Sequence, residues 1–204
     1  MIGLFGGTFN PIHNGHLQLA QQLLDAYPLR QIEFVPCHLP VHRAQPQVSP
    51  QQRKQMVELA IQEHPRFSLN TLELERGGAS YTFDTLESIR QQRPGQTLCW
   101  LMGLDSFNGL KQWKNPEGIL QLAHLIVCSR PGVQMTDEHW KKHYLQAGES
   151  LASYPAGKIT FFPMSPNPCS STEIRRQLKN TQAVNGCLTA AVLNFIKQNH
   201  LYES

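Results

Sequence analysis

The chain opens on an apolar run, Met1 to Phe5, and after the stretch GGTFNPIHNGH the residues Leu17, Ala20, Leu24 and Tyr27 recur at intervals of three and four. The first pattern reads as a buried strand and the second as one face of a helix, since helical neighbours recur every 3.6 residues. The two patterns then alternate. Ile32 to Val35 is a second strand, and Ser49-Pro50-Gln51-Gln52 supplies an N-cap, a proline at the first helical position and a capping-box glutamine for a helix reaching about His64. Phe67 to Leu74 alternates like a strand, Phe83, Leu86 and Ile89 mark a helix entered near Ser80 to Thr82, and Thr97 to Met102 is a strongly apolar strand. Leu125 to Cys128 and Ile159 to Phe162 complete the strands, with helices expected near 116–122, 137–147, 171–179 and 188–199. Strands alternating with helices predict an α/β fold, a Rossmann-like, doubly wound and mostly parallel sheet with helices on both faces. The Pro-containing segments 36–50 and 163–168 read as loops at the sheet's rim, where such folds place ligands.

Composition narrows the picture. At 204 residues the chain suits one domain, 1–204, whose C-terminal helical part begins near 165, and such a chain can bury roughly 70% of its unfolded surface. Apolar residues make up 40% and charged residues 16%, which fits a globular protein. A net charge of +3 with scattered Lys and Arg admits acidic small ligands but lacks the basic stripe of a nucleic-acid binder. The five cysteines are odd in number, widely spaced and without a CxxC, so the sequence suggests neither a disulfide framework nor a zinc knuckle, and a reducing cytoplasm fits best. With the first motif starting at residue 6 no signal peptide is expected, and no apolar run approaches the roughly 18 residues of a membrane span.

Two stretches carry candidate chemistry. In GGTFNPIHNGH, Gly6 and Gly7 follow a strand and let the backbone turn and approach a ligand closely. His13 and His16 stand three apart around the start of the next helix, whose N-terminus is electropositive. Imidazoles and a helix end would converge on one anion. A solvated helix start and a pair of metal ligands are the alternatives. The stretch lacks both G-x-G-x-x-G and the G-K-[ST] of a P-loop. In CSSTEIRR, residues 169 to 176, Ser170 and Glu173 have the spacing of a capping box, while Ser171, Thr172 and Arg175 add two hydroxyls and a guanidinium suited to a triphosphate.

These residues resemble a known superfamily. GGTFNPIHNGH is similar to the G-x-F-[DN]-P-x-H-x-G-H signature of the nucleotidylyltransferases, and SSTEIR to their C-terminal S-[SA/ST]-T-x-x-R signature. Within it the bacterial nicotinate-nucleotide adenylyltransferases are the nearer match, through PCHLPVHR, QRKQMVELA, SYTFDTL, GLDSF, Trp113, HLIVCSRPG and VLNFIKQNHLY, so that the resemblance covers nearly the whole chain. It implies ATP plus nicotinate mononucleotide giving nicotinate adenine dinucleotide and pyrophosphate, with Mg²⁺ held chiefly by phosphates and water. It implies that His13 and His16 contact the ATP phosphates, His16 stabilising the α-phosphate in the transition state. Gly7, Thr8 and Phe9 would line the same site, with Ser171, Thr172 and Arg175 on the β- and γ-phosphates and Gly103 and Asp105 at the ribose. For the acceptor it points to Ser80, Tyr81 and Thr82 at a helix start, to Trp113 stacking on the pyridine ring, and to His42, Arg43 and Arg130 as basic groups facing phosphate. Unaided by the resemblance, His42 and Arg43 read as solvated loop charges and Trp113 equally as core.

The match has departures. Asn10 stands where Asp is common, Cys169 where an aliphatic residue precedes the serine, and Val41 replaces a second proline. These leave open an adenylyltransferase for another phosphorylated acceptor, such as nicotinamide mononucleotide or phosphopantetheine; a nucleotide sensor without catalysis would be expected to have lost His13, His16 or Arg175. Partners are expected to be small molecules, not nucleic acid or membrane, and a homo-oligomer is compatible with the sequence. His139 and His143 stand four apart beside Lys141 and Lys142, a pattern read as a wet helical face and not a metal site. Cys37, Cys99 and Cys128 are read as small buried hydrophobes.

Overall fold

The structure, a computed structural model, describes residues 1–41, 45–129, 135, 138–184 and 186–203. In chain order its elements are β1 (Ile2–Gly7), α1 (Asn14–Ala26), β2 (Gln31–Pro36), β3 (Leu39–Pro40), α2 (Pro50–Ile61), β4 (Phe67–Leu69), α3 (Leu72–Arg76), β5 (Ala79–Ser80), α4 (Thr82–Gln92), β6 (Leu98–Gly103), α5 (Leu104–Asn108), α6 (Pro116–Leu122), β7 (His124–Ser129), β8 (Ile159–Pro163), α7 (Ser171–Lys179) and α8 (Ala190–Gln198). Six strands form one sheet in the order β4-β2-β1-β6-β7-β8, every neighbouring pair parallel. The chain winds outward from β1 to β2 and β4, then returns to β6 and winds the other way. Its order therefore reverses between β1 and β6, the position where open α/β sheets leave a crevice beyond their strand ends.

The apolar runs of the strands feed two cores. Along β6, Leu98, Trp100 and Met102 enter one cluster, while Cys99 and Leu101 enter the other. This period of two explains why the strands read as continuous apolar runs: both faces are covered by helices. Leu17, Ala20 and Leu24 of α1 and Met56, Val57 and Ala60 of α2 lie in the same cluster as Ile174 of α7 and Val192 and Ile196 of α8. The helices bearing the second motif thus share a core with those bearing the first. The capping of α2 follows the sequence: the Ser49 hydroxyl accepts the Gln52 N–H at 3.2 Å, and the Gln52 side chain accepts the Ser49 N–H at 3.0 Å.

Three expectations are corrected. The alternating stretch 67–74 splits, because Asn70 leaves the strand, donates to Glu33 at 2.8 Å and accepts the Leu72 N–H at 3.1 Å, which starts α3. The helix expected over 137–147 is replaced, within the described residues, by a 3₁₀ turn at Lys141–His143. There Trp140 is buried and the Leu145 N–H bonds the Ile159 carbonyl at 2.8 Å, so anchoring to the sheet overrides the helical periodicity. Finally, Cys169 and Cys187 form a disulfide with Cα atoms 5.4 Å apart, where the sequence had suggested no such bridge. The loops before α7 and α8 are brought together by tertiary packing, which cysteine spacing does not reveal. Cys37, Cys99 and Cys128 are buried free thiols, and burial pushes the last two up to about 12.

Candidate active site

β1 delivers the first motif to the crevice. Phe5 pairs with Leu101 as the last pair between β1 and β6, and Gly7 and Gly103, each two residues further on, end their strands. Asp105 follows as an exposed residue in the first turn of α5. Packing also requires the two glycines of the turn. A Cβ on Gly6 would lie 2.3 Å from the Trp100 ring, and one on Gly7 2.9 Å from the Phe9 ring. Phe9 itself turns inward at φ 47°, its ring packed edge-on to Phe5 and His16, so only its main chain faces the loop.

His13 is the N-cap of α1 and His16 sits in its first turn, their rings stacked with centroids 3.8 Å apart. The His13 N–H donates to His16 Nδ1 at 3.2 Å. A ring nitrogen that accepts carries no proton, so the neutral His16 ring holds its proton on Nε2, a donor on the side away from the backbone bond.

The second motif grips the first. Arg175 Nη1 donates to the Asn10 carbonyl at 2.7 Å and Ser171 Oγ donates to the Pro11 carbonyl at 2.9 Å, while Arg175 Nη2 lies 3.5 Å from Thr172 Oγ1. Asn10 also accepts the Tyr202 hydroxyl at 2.7 Å, and the Asn14 N–H bonds the Cys187 carbonyl at 2.8 Å. Two helix N-termini, one cation, two imidazoles and several hydroxyls therefore converge, the donor set that a polyphosphate requires. The capping box anticipated at α7 is half formed: Ser170 Oγ accepts the Glu173 N–H at 3.2 Å, but the Glu173 carboxylate turns forward to Arg176 and Gln177. Among the described residues no three His, Cys, Asp or Glu side chains are grouped to hold a metal ion.

A second pocket, about 250 Å³, is lined by Val41, Ser80, Tyr81, Thr82, Trp113 and Lys114. β3 pairs with β5 in register Pro40 to Ser80, and the His38 N–H donates to Ser80 Oγ at 2.9 Å, which draws the loop after β2 to the start of α4. The α4 N-cap is Tyr81, which gives the first turn no side-chain cap. The N–H groups of that turn suit an anion. Trp113 is half-buried, lining the pocket while packing against the neighbouring core, so it serves both of the readings its sequence position allowed. Lys114 bonds Asp84 in the first turn of α4 at 2.7 Å and lies 5.1 Å from the Tyr81 ring centre. His42, Arg43 and Arg130 lie outside the described residues. His139 and His143 do not share a helical face, and His143 Nδ1 bonds the Gly157 carbonyl at 2.9 Å.

Sequence reasoning overlooked Arg53, Lys114 and Tyr202. The first carried a signal, a charged residue at helical spacing with Met56, Val57 and Ala60 on the core face of α2. The other two act through contacts distant in sequence.

Residues 4–177 match the cytidylyltransferase-like family. The chain is 39% identical to a probable nicotinate-nucleotide adenylyltransferase of Hydrogenovibrio crunogenus, over 100% of this chain and 98% of the relative. It is 38% identical to one of Methylococcus capsulatus, over 99% of each. The fold is similar to that of the Plasmodium falciparum nicotinic acid mononucleotide adenylyltransferase complexed with NaAD, at a TM-score of 0.76 and 18% identity, covering 99% of this chain and 97% of that one. Full-length similarity at this level, on a sheet whose switch point gathers both motifs, places the chain in the cytidylyltransferase-like family, among the nicotinate-nucleotide adenylyltransferases.

Proposed function

We propose that this chain transfers AMP from ATP to nicotinate mononucleotide, forming nicotinate adenine dinucleotide and pyrophosphate in NAD biosynthesis. The observation that carries the reading is the joining of the two motifs, with Arg175 and Ser171 bonded to the backbone of the loop that bears His13 and His16. The acceptor's phosphate needs no general base, since a phosphate monoester loses its second proton near pH 6 and is already anionic at neutral pH. One of its oxygens bonds the α-phosphorus of ATP while the bond to the bridging oxygen breaks, and pyrophosphate leaves with the electron pair. The protein's work is alignment and stabilisation of the charge that moves.

In this reading His16 donates from Nε2 to an α-phosphate oxygen, with His13 stacked behind it. Thr8 and the main chain of Gly7 and Phe9 border the triphosphate, and Ser171, Thr172 and Arg175 hold its outer phosphates. Asp105, beside Gly103, takes the ribose hydroxyls. Mg²⁺ arrives with ATP as part of that substrate, held by phosphate oxygens and water, because the site's described residues offer imidazoles, hydroxyls, a guanidinium and the single Asp105 carboxylate, and no group of three metal-binding side chains. The nicotinate carboxylate docks on the uncapped start of α4 at Ser80, Tyr81 and Thr82, with its ring against Trp113. His42, Arg43 and Arg130 remain proposed phosphate contacts outside the described residues.

We further read residues 1–204 as one domain acting in the cytoplasm. Among the described residues no helix is long and apolar enough to cross a membrane. The Cys169–Cys187 disulfide is the feature that pulls against a reducing compartment.

The test is pyrophosphate release from ATP and Mg²⁺ with nicotinate mononucleotide, nicotinamide mononucleotide or phosphopantetheine as acceptor. Nicotinate mononucleotide should give the highest kcat/KM. Comparable turnover of phosphopantetheine would overturn the assignment.

A further inference from the structure

Arg53 is completely buried, and among the described residues no carboxylate is hydrogen-bonded to its guanidinium. Its Nη1 donates to the Thr8 carbonyl at 2.8 Å and its Nη2 to the His38 carbonyl at 2.9 Å, with Cys37 Sγ 3.8 Å from Nη1. Burial pushes its pKa down, but a guanidinium stays charged in proteins. A buried cation held by carbonyl dipoles and a thiol, with no carboxylate bonded to it, is costly, and a methionine of similar length would fill this space without that cost. The cost therefore calls for a reason beyond packing.

The two carbonyls supply one. Thr8 lies in the loop from β1 to α1 that forms the triphosphate side, and His38 lies in the loop leaving β2 toward the pocket of Ser80 and Trp113. The His38 loop is held elsewhere as well: the His38 N–H bonds Ser80 Oγ at 2.9 Å, and the buried Glu73 carboxylate takes a hydrogen bond from Thr85 at 2.7 Å. Arg53 bonds both loops through a single rigid group. In a trans peptide the C=O and the following N–H point in opposite directions, so holding the Thr8 carbonyl toward α2 turns the Phe9 N–H the other way. A guanidinium fork has fixed geometry, whereas a lysine ammonium on a flexible stem has none.

We propose that Arg53 is a positioning residue that sets the relative placement of the triphosphate loop and the acceptor loop, by holding the Thr8 and His38 carbonyls on one guanidinium. This rests on the function proposed above, in which the two loops hold the two substrates. Misplacing bound reactants by about 1 Å can cost on the order of 10² in rate. Loss of Arg53 should therefore damage the reaction between the two bound substrates more than the binding of either alone.

The test compares the full-length wild type with Arg53→Lys and Arg53→Met, measuring kcat at saturating ATP and nicotinate mononucleotide. Alongside it are measured the dissociation constant of each nucleotide alone and the melting temperature. The expected result for each folded variant is kcat lowered at least tenfold, with each dissociation constant within threefold of wild type. A merely structural role would lower the melting temperature and leave kcat of the folded enzyme unchanged. The proposal is overturned by a folded Arg53→Lys whose kcat is within twofold of wild type, or whose loss lies wholly in weaker binding of one nucleotide. Should Arg53→Lys not fold, the same criteria decide on Arg53→Met; failure of both to fold would assign Arg53 a structural role and overturn the proposal. An inactive wild type would instead reject the reading of function.

Discussion

His16 combines a fixed tautomer with a fixed orientation, because its Nδ1 is committed to the His13 N–H while Phe5 and Phe9 pack edge-on against its ring. That is what preorganisation of a donor requires. His16→Ala is accordingly expected to lower kcat by about 10², the scale for removing one preorganised donor from a developing charge. Steady-state pyrophosphate release checks it, and a near-normal kcat in a folded variant would remove His16 from the mechanism. At this scale the sequence showed which side chains can carry charge but not the packing that the glycines must also satisfy. Gly6 yields to Trp100, which is 94 residues away in sequence and adjacent only once β1 and β6 pair.

At the scale of elements, local signals held where local forces decide. The N-cap and capping box of α2 were readable because both partners lie within four residues of each other. The stretch 137–147 was misread because its path is set by the edge of the sheet. The strand next to that edge carries a pH dependence. His124 of β7 is buried, its Nδ1 accepts the Lys158 N–H at 3.1 Å, and its Nε2 therefore donates to the Tyr154 carbonyl, also at 3.1 Å. Burial first of all, and then nearby Arg90 and Lys158, hold its pKa below the usual histidine value. The unfolded chain then binds a proton that the folded one resists, so the stability present above pH ~6.5 is lost as pH falls below it, by up to about 1.4 kcal/mol per unit. Melting between pH 7.5 and 5.5 should show a downward slope that His124→Gln flattens. An unchanged slope in that variant would assign the loss to other groups.

On the scale of the whole molecule, the last residues close over the first motif. Tyr202 is buried, burial pushes its pKa up, and its hydroxyl donates to the Asn10 side chain. Tyr202→Phe leaves that acceptor without its donor at a cost of about 1 kcal/mol, which for a chain of this size is a fall of about 2–4 °C in Tm. A thermal melt measures it; an unshifted Tm would mean that the bond contributes nothing to the fold. The Cys169–Cys187 bridge acts over the same region, tying the loop before α7 to a segment whose Cys187 carbonyl receives the start of α1.

By itself the sequence determined the alternation of strands and helices, the order of the two motifs and the types of group they bring, because periodicity and side-chain chemistry are local properties. Tertiary structure decided which groups meet. It set the reversal of strand order between β1 and β6, the grip of Arg175 and Ser171 on the first loop, the disulfide, and the buried Arg53 that joins two loops. Each of these is a contact between segments far apart in the chain, and such contacts exist only once the sheet has packed its two faces.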